Sequence, residues 1–281
     1  MFYFPAIGVE HVLFEVHLGD PHLLFEVDGH VATVTMNRPE ARNAWSLELM
    51  ARMADAWDEI DGNDEIRVAI LTGAGGTFCS GADLKLMHTD QSANPWHARF
   101  RDDPGLHWKT MLRSYRLKKP LIAAVEGYAL GGGTEILQCT DLRVAGKSAV
   151  FGLTEAAMGL FPLGGSTVRL RRQIPHTAAM EMLLTGRRVT AQEALAWGLI
   201  GRIVDDGDTL GSAHELAAMI AKNGPIAVQA IKRSVLESEF LPEQEALAKE
   251  LEIGQPVFKT QDAREGPRAF AEKRQPEFKC R

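Results

Sequence analysis

The chain has 281 residues, with 31 basic and 37 acidic side chains and a formal net charge of −6 at pH 7. Hydrophobic residues make up 45% and charged residues 24%, which is ordinary for a globular protein and excludes collagen-like and disordered chains. No run approaches 18 consecutive apolar residues, and the acidic balance argues against a general nucleic-acid binder. We therefore expect neither a membrane nor a nucleic acid as a partner.

The three cysteines, Cys79, Cys139 and Cys280, lie far apart and form no C-x-x-C pair. A disulfide framework and a cysteine-based zinc site are not expected, and the scattered histidines have no metal-ligand spacing. Residues 1–24 contain no Lys or Arg, which a secretory signal or an organellar transit peptide would need. The sequence thus predicts a cytoplasmic protein without a metal site.

Short apolar runs alternate with helical patterns in the first half of the chain. Residues 31–36 are typical of a strand, and Ser46 is a predicted N-cap for a helix that ends near Gly62. Continuous apolar runs, typical of strands buried on both faces, follow at residues 67–72, 121–125 and 141–145. This alternation predicts an α/β core with parallel strands.

Beyond about residue 160 the pattern becomes mostly helical. Helices are predicted over residues 176–185, 190–197, 212–223, 225–239 and 243–253. Thr190 and Glu193 have the spacing of a capping box, and Pro225 suits the first turn of a helix. The sequence therefore predicts an α/β core followed by a helical C-terminal part.

Two segments are less regular. Residues 88–115 carry Trp96 and Trp108 among Pro, Asn and Asp residues, which is too irregular for one helix. Residues 259–281 hold seven basic side chains against four acidic ones, a local excess of three positive charges in an acidic chain. This basic tail could meet an anionic ligand.

Two glycine-rich turns, at residues 73–81 and 127–133, follow predicted buried strands. Glycine lets backbone N–H groups approach a ligand closely, because it has no Cβ. Two such turns facing each other would offer two N–H donors to one oxygen atom, which is the geometry of an oxyanion hole. Open α/β sheets bind ligands at the carboxyl ends of their strands, where both turns are expected.

Two acids, Glu135 and Glu155, lie near the glycine-rich turns in apolar or glycine-rich sequence. A carboxyl in such surroundings tends to have a raised pKa, which suits acid–base chemistry near neutral pH. The pair could hold one water, with one acid as base and the other as proton donor. Each could equally be an ordinary acid in the first turn of a helix. The adjacent glycine-rich turns favour the chemical interpretation.

Six segments, taken in order, carry a family resemblance. They are residues 37–44, 78–85, 119–135, 161–170, 184–188 and 265–274. From about residue 24 onward, the sequence resembles the crotonase (enoyl-CoA hydratase/isomerase) superfamily. The resemblance implies an α/β fold with a ββα spiral core and a helical C-terminal region for trimerisation. It also implies an N-terminal extension at residues 1–23, a core domain at 24–205 and a C-terminal helical region at 206–281.

The resemblance further implies an enoyl-CoA hydratase of fatty acid metabolism, such as β-oxidation. Such an enzyme adds water across the 2,3 double bond of a 2-enoyl-CoA thioester. The N–H groups of Ala82 and Gly132 would form the oxyanion hole, Glu135 would activate water, and Glu155 would protonate the carbon next to the carbonyl.

The acyl-CoA is then the substrate, and no separate cofactor is implied. The family's CoA contacts match Arg42, Ala44, Ser80, Ala82, Asp83, Leu84, Lys85, Phe258 and Lys273. The expected assembly is a homotrimer or a dimer of trimers.

Other functions stay open at this point. The chain could be another acyl-CoA enzyme of the superfamily, either carnitinyl-CoA dehydratase-like or an enoyl-CoA isomerase, and Trp96 and Trp108 suggest an unusual acyl group. It could also be a non-catalytic acyl-CoA-binding or RNA-binding relative that uses the basic tail. Two matched acids argue against a non-catalytic role.

Overall fold

The computed structural model describes residues 21–281. The predicted extension at residues 1–23 lies outside the described residues except for its last three. The strands are β1 (Leu23–Asp28), β2 (Val31–Met36), β3 (Val68–Gly73), β4 (Leu121–Val125), β5 (Tyr128–Leu130), β6 (Leu142–Gly146), β7 (Val150–Gly152), β8 (Arg188–Thr190) and β9 (Arg202–Val204).

Helices lie between many of these strands up to β9, and only helices follow β9. They are α1 (Leu47–Gly62), α2 (His97–Asp102), α3 (Leu106–Thr110), α4 (Gly132–Leu137), α5 (Ser166–Gln173), α6 (His176–Thr185), α7 (Ala191–Trp197), α8 (Thr209–Ala221), α9 (Pro225–Ser238), α10 (Glu243–Gly254) and α11 (Gln261–Ala271). The predicted α/β core and helical C-terminal part are confirmed.

The main sheet has six strands in the order β1-β2-β3-β4-β6-β9. Only β1 pairs antiparallel, with β2, whereas the other neighbours are parallel as predicted. Parallel pairing places the carboxyl ends of β3 and β4 at the same edge of the sheet. Both glycine-rich turns therefore leave the sheet side by side.

The strands β3 and β4 are buried on both faces, as their continuous apolar runs predict. On one face Ile70 and Ile122 pack against Ala213 and Ala217 of α8. The opposite face belongs to the main hydrophobic core, which also includes buried residues of α1. The helix α8 thus covers one side of the sheet, although it lies in the predicted C-terminal region.

A second sheet of three short strands, in the order β5-β7-β8, lies next to the main sheet. Its β5 is joined to the first glycine-rich turn by a bridge between Cys79 and Ala129. The Cys79 N–H donates to the carbonyl of Tyr128 at 2.8 Å, and the Leu130 N–H donates to the carbonyl of Cys79 at 2.9 Å. These bonds fasten the two glycine-rich turns together.

Local capping explains several helix ends. The Ser46 hydroxyl accepts a hydrogen bond from the Leu49 N–H at 3.1 Å, so Ser46 caps α1 as predicted. Thr190 and Glu193 form the predicted capping box of α7, and Pro225 begins α9. Residues 88–115 form the short helices α2 and α3 with irregular chain around them, which agrees with the absence of a clean helical pattern.

In the part of the chain that the structure describes, none of the helices combines the length and apolar character that crossing a membrane requires.

Candidate active site

The first glycine-rich turn packs directly against the start of α4. Gly81 has φ +89°, and a Cβ on it would lie 2.8 Å from the Leu130 carbonyl oxygen and 2.9 Å from the Gly132 nitrogen. Only glycine fits this approach without displacing backbone. The contact brings Ala82, the next residue, beside Gly132, as the proposed oxyanion hole requires.

The N–H groups of Ala82 and Gly132 are free to bind a ligand. Within residues 21–281, neither donates to a protein acceptor. Gly132 is the first residue of α4, where the helix itself supplies no acceptor. Trp45 forms a β-bridge with Ala82, and the Trp45 N–H donates to the Gly81 carbonyl at 2.9 Å. The arrangement can supply two backbone donors to one oxygen atom.

Glu135 lies in the first turn of α4 and is only 4% exposed. The Ser166 N–H donates to its Oε1 at 3.2 Å. A Cβ on Gly164 would lie 2.7 Å from its Oε2, so the carboxylate is pressed against the turn before α5. Burial raises the pKa of Glu135, and the nearby N–H groups of Ser166, Gly164 and Gly165 oppose that rise. Glu135 is thus a buried acid whose charged form is hydrogen-bonded.

Glu155 has a different environment. It follows β7 and precedes a single 3₁₀ turn, and its side chain forms no cap there. Its Oε2 is buried and has no hydrogen-bond partner within the described residues. Burial, aided by the negative charge of Glu135, raises the pKa of Glu155 to about 7. Glu155 thus lies at the start of a short 3₁₀ turn without capping it.

The two acids and the glycine turns converge on one site. A Cβ on Gly131 would lie 3.3 Å from Oε1 of Glu155, so this carboxyl borders the turn that carries Gly132. Glu135 lies one helical turn further along the same segment. Two acids, of which only Glu135 accepts a backbone hydrogen bond from the turn before α5, therefore lie beside two free N–H donors. Such a site can take a proton from one atom, give one to another and stabilise a developing oxyanion.

The raised pKa of Glu155 predicts a pH-dependent effect on stability. In the unfolded chain its pKa returns to about 4.5, below the value of about 7 in the fold. The unfolded chain therefore loses this proton first, and stability falls as pH rises through that window. We expect Glu155→Gln to raise Tm relative to the wild type, by a difference that grows between about pH 5 and pH 8. Thermal unfolding across this range checks it, and a difference independent of pH would contradict it.

The CoA contacts predicted at residues 42–44 and 80–85 lie on adjacent segments. The Ser80 N–H donates to the Arg42 carbonyl at 3.0 Å. Arg38, which was not predicted, donates from Nη1 to the Ala44 carbonyl at 2.8 Å and to Asp83 Oδ2 at 3.1 Å. The Asp83 carboxylate is thus engaged within the protein. Arg42, Leu84 and Lys85 remain exposed and available to a ligand.

The other two predicted CoA contacts, Phe258 and Lys273, lie near the C-terminus. Phe258 is 82% exposed, and Lys273 follows α11. Phe258 lies in the 3₁₀ turn between α10 and α11, so both residues belong to the helical C-terminal part of the chain.

Sequence reasoning missed several residues of this neighbourhood. The guanidinium groups of Arg42 and Arg188 lie over the same ring, that of Tyr128, at 5.7 and 5.5 Å. Ser166 and Gln138, which form hydrogen bonds beside Glu135, were also missed. Arg188 and Ser166 fall in segments that carry the family resemblance, but residue type alone gave them no role.

No group of three or more His, Cys, Asp or Glu side chains that could hold a metal ion occurs in residues 21–281.

Comparison with known proteins identifies the family. The family model described as enoyl-CoA hydratase/isomerase matches residues 26–281. Enoyl-CoA hydratase EchA19 of Mycobacterium tuberculosis is 55% identical over 263 residues, which cover 93% of this chain and 97% of that protein. Carnitinyl-CoA dehydratase of Proteus mirabilis is 38% identical over 258 residues, covering 90% of this chain and 96% of that protein.

A solved structure of an enoyl-CoA hydratase from Mycobacterium tuberculosis superimposes with a TM-score of 0.84 at 39% identity, covering 93% of this chain and all of that one. The expected crotonase fold is thereby confirmed. The chain belongs to the enoyl-CoA hydratase/isomerase family of the crotonase superfamily.

Proposed function

We propose that the chain is an enoyl-CoA hydratase, which adds water across the 2,3 double bond of a 2-enoyl-CoA thioester. One observation carries this proposal: the two acids beside the free N–H groups differ in how their charge is supported. Glu135 receives hydrogen bonds that favour the carboxylate, whereas Glu155 has a buried, unpartnered oxygen and a pKa of about 7. Glu135 is therefore suited to be the base, and Glu155 the acid.

The reaction follows from this division. Glu135 takes a proton from a water molecule as its oxygen attacks C3 of the enoyl group. The electron pair of the double bond moves toward the thioester, and the carbonyl oxygen gains negative charge. The N–H groups of Ala82 and Gly132 stabilise that charge, and Glu155 then delivers a proton to C2. One water is consumed, and the product is a 3-hydroxyacyl-CoA.

The CoA part is proposed to run along residues 42–44 and 80–85, where Arg42 and Lys85 provide positive charge. Phe258 and Lys273, both exposed, are proposed to contact the CoA as well. Exposed apolar side chains on α9 and α10, such as Ile231 at 65% and Leu251 at 63%, support the expected homotrimer or dimer of trimers. The acyl-CoA remains the substrate, with no separate cofactor, and we propose a cytoplasmic location.

Trp96 and Trp108 do not favour a carnitinyl-CoA dehydratase. A ligand with a trimethylammonium group is commonly held by open aromatic faces. The ring of Trp96 already faces Arg52 at 5.1 Å, and the ring of Trp108 faces Arg113 at 4.8 Å. Both rings also pack against the hydrophobic core. The two tryptophans therefore give no support to a cationic acyl group.

The basic tail gives little support to a non-catalytic nucleic-acid binder. Arg268 and Arg274 both pair with Glu265, and Arg274 also pairs with Glu272. Paired guanidinium groups have less charge to offer to phosphates than the local excess of positive charge suggested.

The proposal is tested by adding the protein to crotonyl-CoA and to longer 2-enoyl-CoA thioesters. Addition of water removes the conjugated double bond, so the ultraviolet absorbance of the enoyl thioester is expected to fall. Carnitinyl-CoA and a non-conjugated 3-enoyl-CoA belong in the same panel, since their turnover would favour the dehydratase or isomerase alternative. Intact CoA-thioester binding without turnover of any 2-enoyl-CoA would overturn the proposal.

A further inference from the structure

Gln138 follows α4 and is buried, with 3% of its surface exposed. Its Nε2 donates both to the Thr134 carbonyl oxygen, at 3.1 Å, and to the Ser166 hydroxyl oxygen, at 2.7 Å. The carbonyl of Thr134 can only accept a hydrogen bond. The NH₂ end of the amide must therefore face it, and this fixes the orientation of the Gln138 side chain.

The orientation of Gln138 decides the direction of the Ser166 hydroxyl. Since the Ser166 oxygen accepts from Gln138, its single proton must point to another acceptor. Ser166 is 1% exposed, so bulk solvent does not accept this proton. The Glu135 carboxylate lies next to it, already bonded to the Ser166 N–H at 3.2 Å. The Ser166 hydroxyl also opposes the rise in the pKa of Glu135 that burial causes.

We propose that Ser166 is a positioning residue for Glu135, donating to its carboxylate from both N–H and O–H, with Gln138 setting the direction of the hydroxyl. This inference rests on the proposed function, because it explains why Glu135 and not Glu155 serves as the base. The Oε2 of Glu155 has no such donor. The pair Gln138 and Ser166 thus separates the roles of two acids that share one site.

The main test is the pH dependence of kcat/KM for enoyl-CoA hydration in Ser166→Ala. Removing a donor to the charged form raises the pKa of Glu135, so the acidic limb is expected to move upward by about one pH unit. At low pH this corresponds to about a tenfold loss that recovers as pH rises. Gln138→Leu is expected to move the limb in the same direction by less. An acidic limb at the wild-type position in Ser166→Ala would overturn the proposal.

Two further variants separate this effect from a loss of packing. Ser166→Thr keeps the hydroxyl and is expected to restore the wild-type limb. Ser212→Ala removes a similarly buried hydroxyl, which accepts from Arg202 at 3.0 Å in α8. The acidic limb of the kcat/KM profile is expected at the wild-type pH in Ser212→Ala. A shift there as large as that in Ser166→Ala would contradict a specific role of Ser166.

A spectroscopic reading tests the inference without turnover. The carbonyl stretch of protonated Glu135 is followed by infrared difference spectroscopy against Glu135→Gln as pH is lowered. The signal is expected to appear at higher pH in Ser166→Ala than in the wild type. If this shift occurs in a protein without hydratase turnover, the proposed function fails while the action of Ser166 on Glu135 stands. Turnover without the shift overturns the action of Ser166 alone.

Discussion

Glu135→Gln is expected to lower kcat for hydration at least about 100-fold and to leave the affinity for the thioester largely unchanged. Glutamine keeps the shape of the side chain, and its Oε1 can still accept from the Ser166 N–H. It cannot, however, take a proton from water. Glu155→Gln is expected to cause a loss of the same order, because its amide cannot deliver the proton to C2. Steady-state kinetics and thioester binding measure the two effects separately.

A matched control for these variants is Glu48→Gln. The Glu48 side chain is 13% exposed and pairs with Arg52 at 2.8 Å within α1. Like the two site variants, Glu48→Gln removes the charge of a largely buried glutamate. Because Glu48 has no part in the proposed reaction, near-normal turnover is expected. If either Glu135→Gln or Glu155→Gln also keeps near-normal turnover, the role given to that acid is wrong.

Gly81→Ala is expected to lower kcat by about 100-fold or more, the scale of losing one oxyanion-hole donor. The new Cβ would lie 2.8 Å from the Leu130 carbonyl oxygen and 2.9 Å from the Gly132 nitrogen. Neither backbone atom can move aside without changing the spacing of the N–H groups on Ala82 and Gly132. Stopped-flow or steady-state turnover on an enoyl-CoA checks the expected loss.

Gly76→Ala is the control for backbone strain in the same turn. Gly76 has φ +69°, but a Cβ on it would meet no heavy atom within 4 Å. Alanine at either position carries a cost of about 1–2 kcal/mol for the left-handed conformation, so both variants should lose stability. Only Gly81→Ala should lose turnover, and equal activity in the two variants would count against the oxyanion hole placed here.

The regular elements were predictable because their signals are local. The Ser46 cap, the capping box of Thr190 and the apolar runs of β3 and β4 each depend on a few neighbouring residues. The second sheet was missed because β5, β7 and β8 have three residues each, too few to show a period of two. This sheet is important for the site because hydrogen bonds from β5 hold the two glycine-rich turns together.

The site was predictable in part. Glu135 and Glu155 could be named from their glycine-rich surroundings, but the sequence does not say which acid has donors. That difference arises from residues far along the chain, since Ser166 reaches Glu135 across 31 positions. The ion pairs of Arg268 and Arg274 in the basic tail were not predictable either, because only the fold brings these side chains to Glu265.

The most direct test of the central claim is hydration in ¹⁸O-labelled water containing D₂O, with the product analysed by mass spectrometry. If the chain is an enoyl-CoA hydratase, the 3-hydroxyacyl-CoA is expected to carry ¹⁸O at C3 and deuterium at C2. Deuterium in the acyl chain without ¹⁸O would indicate an isomerase and would contradict the account.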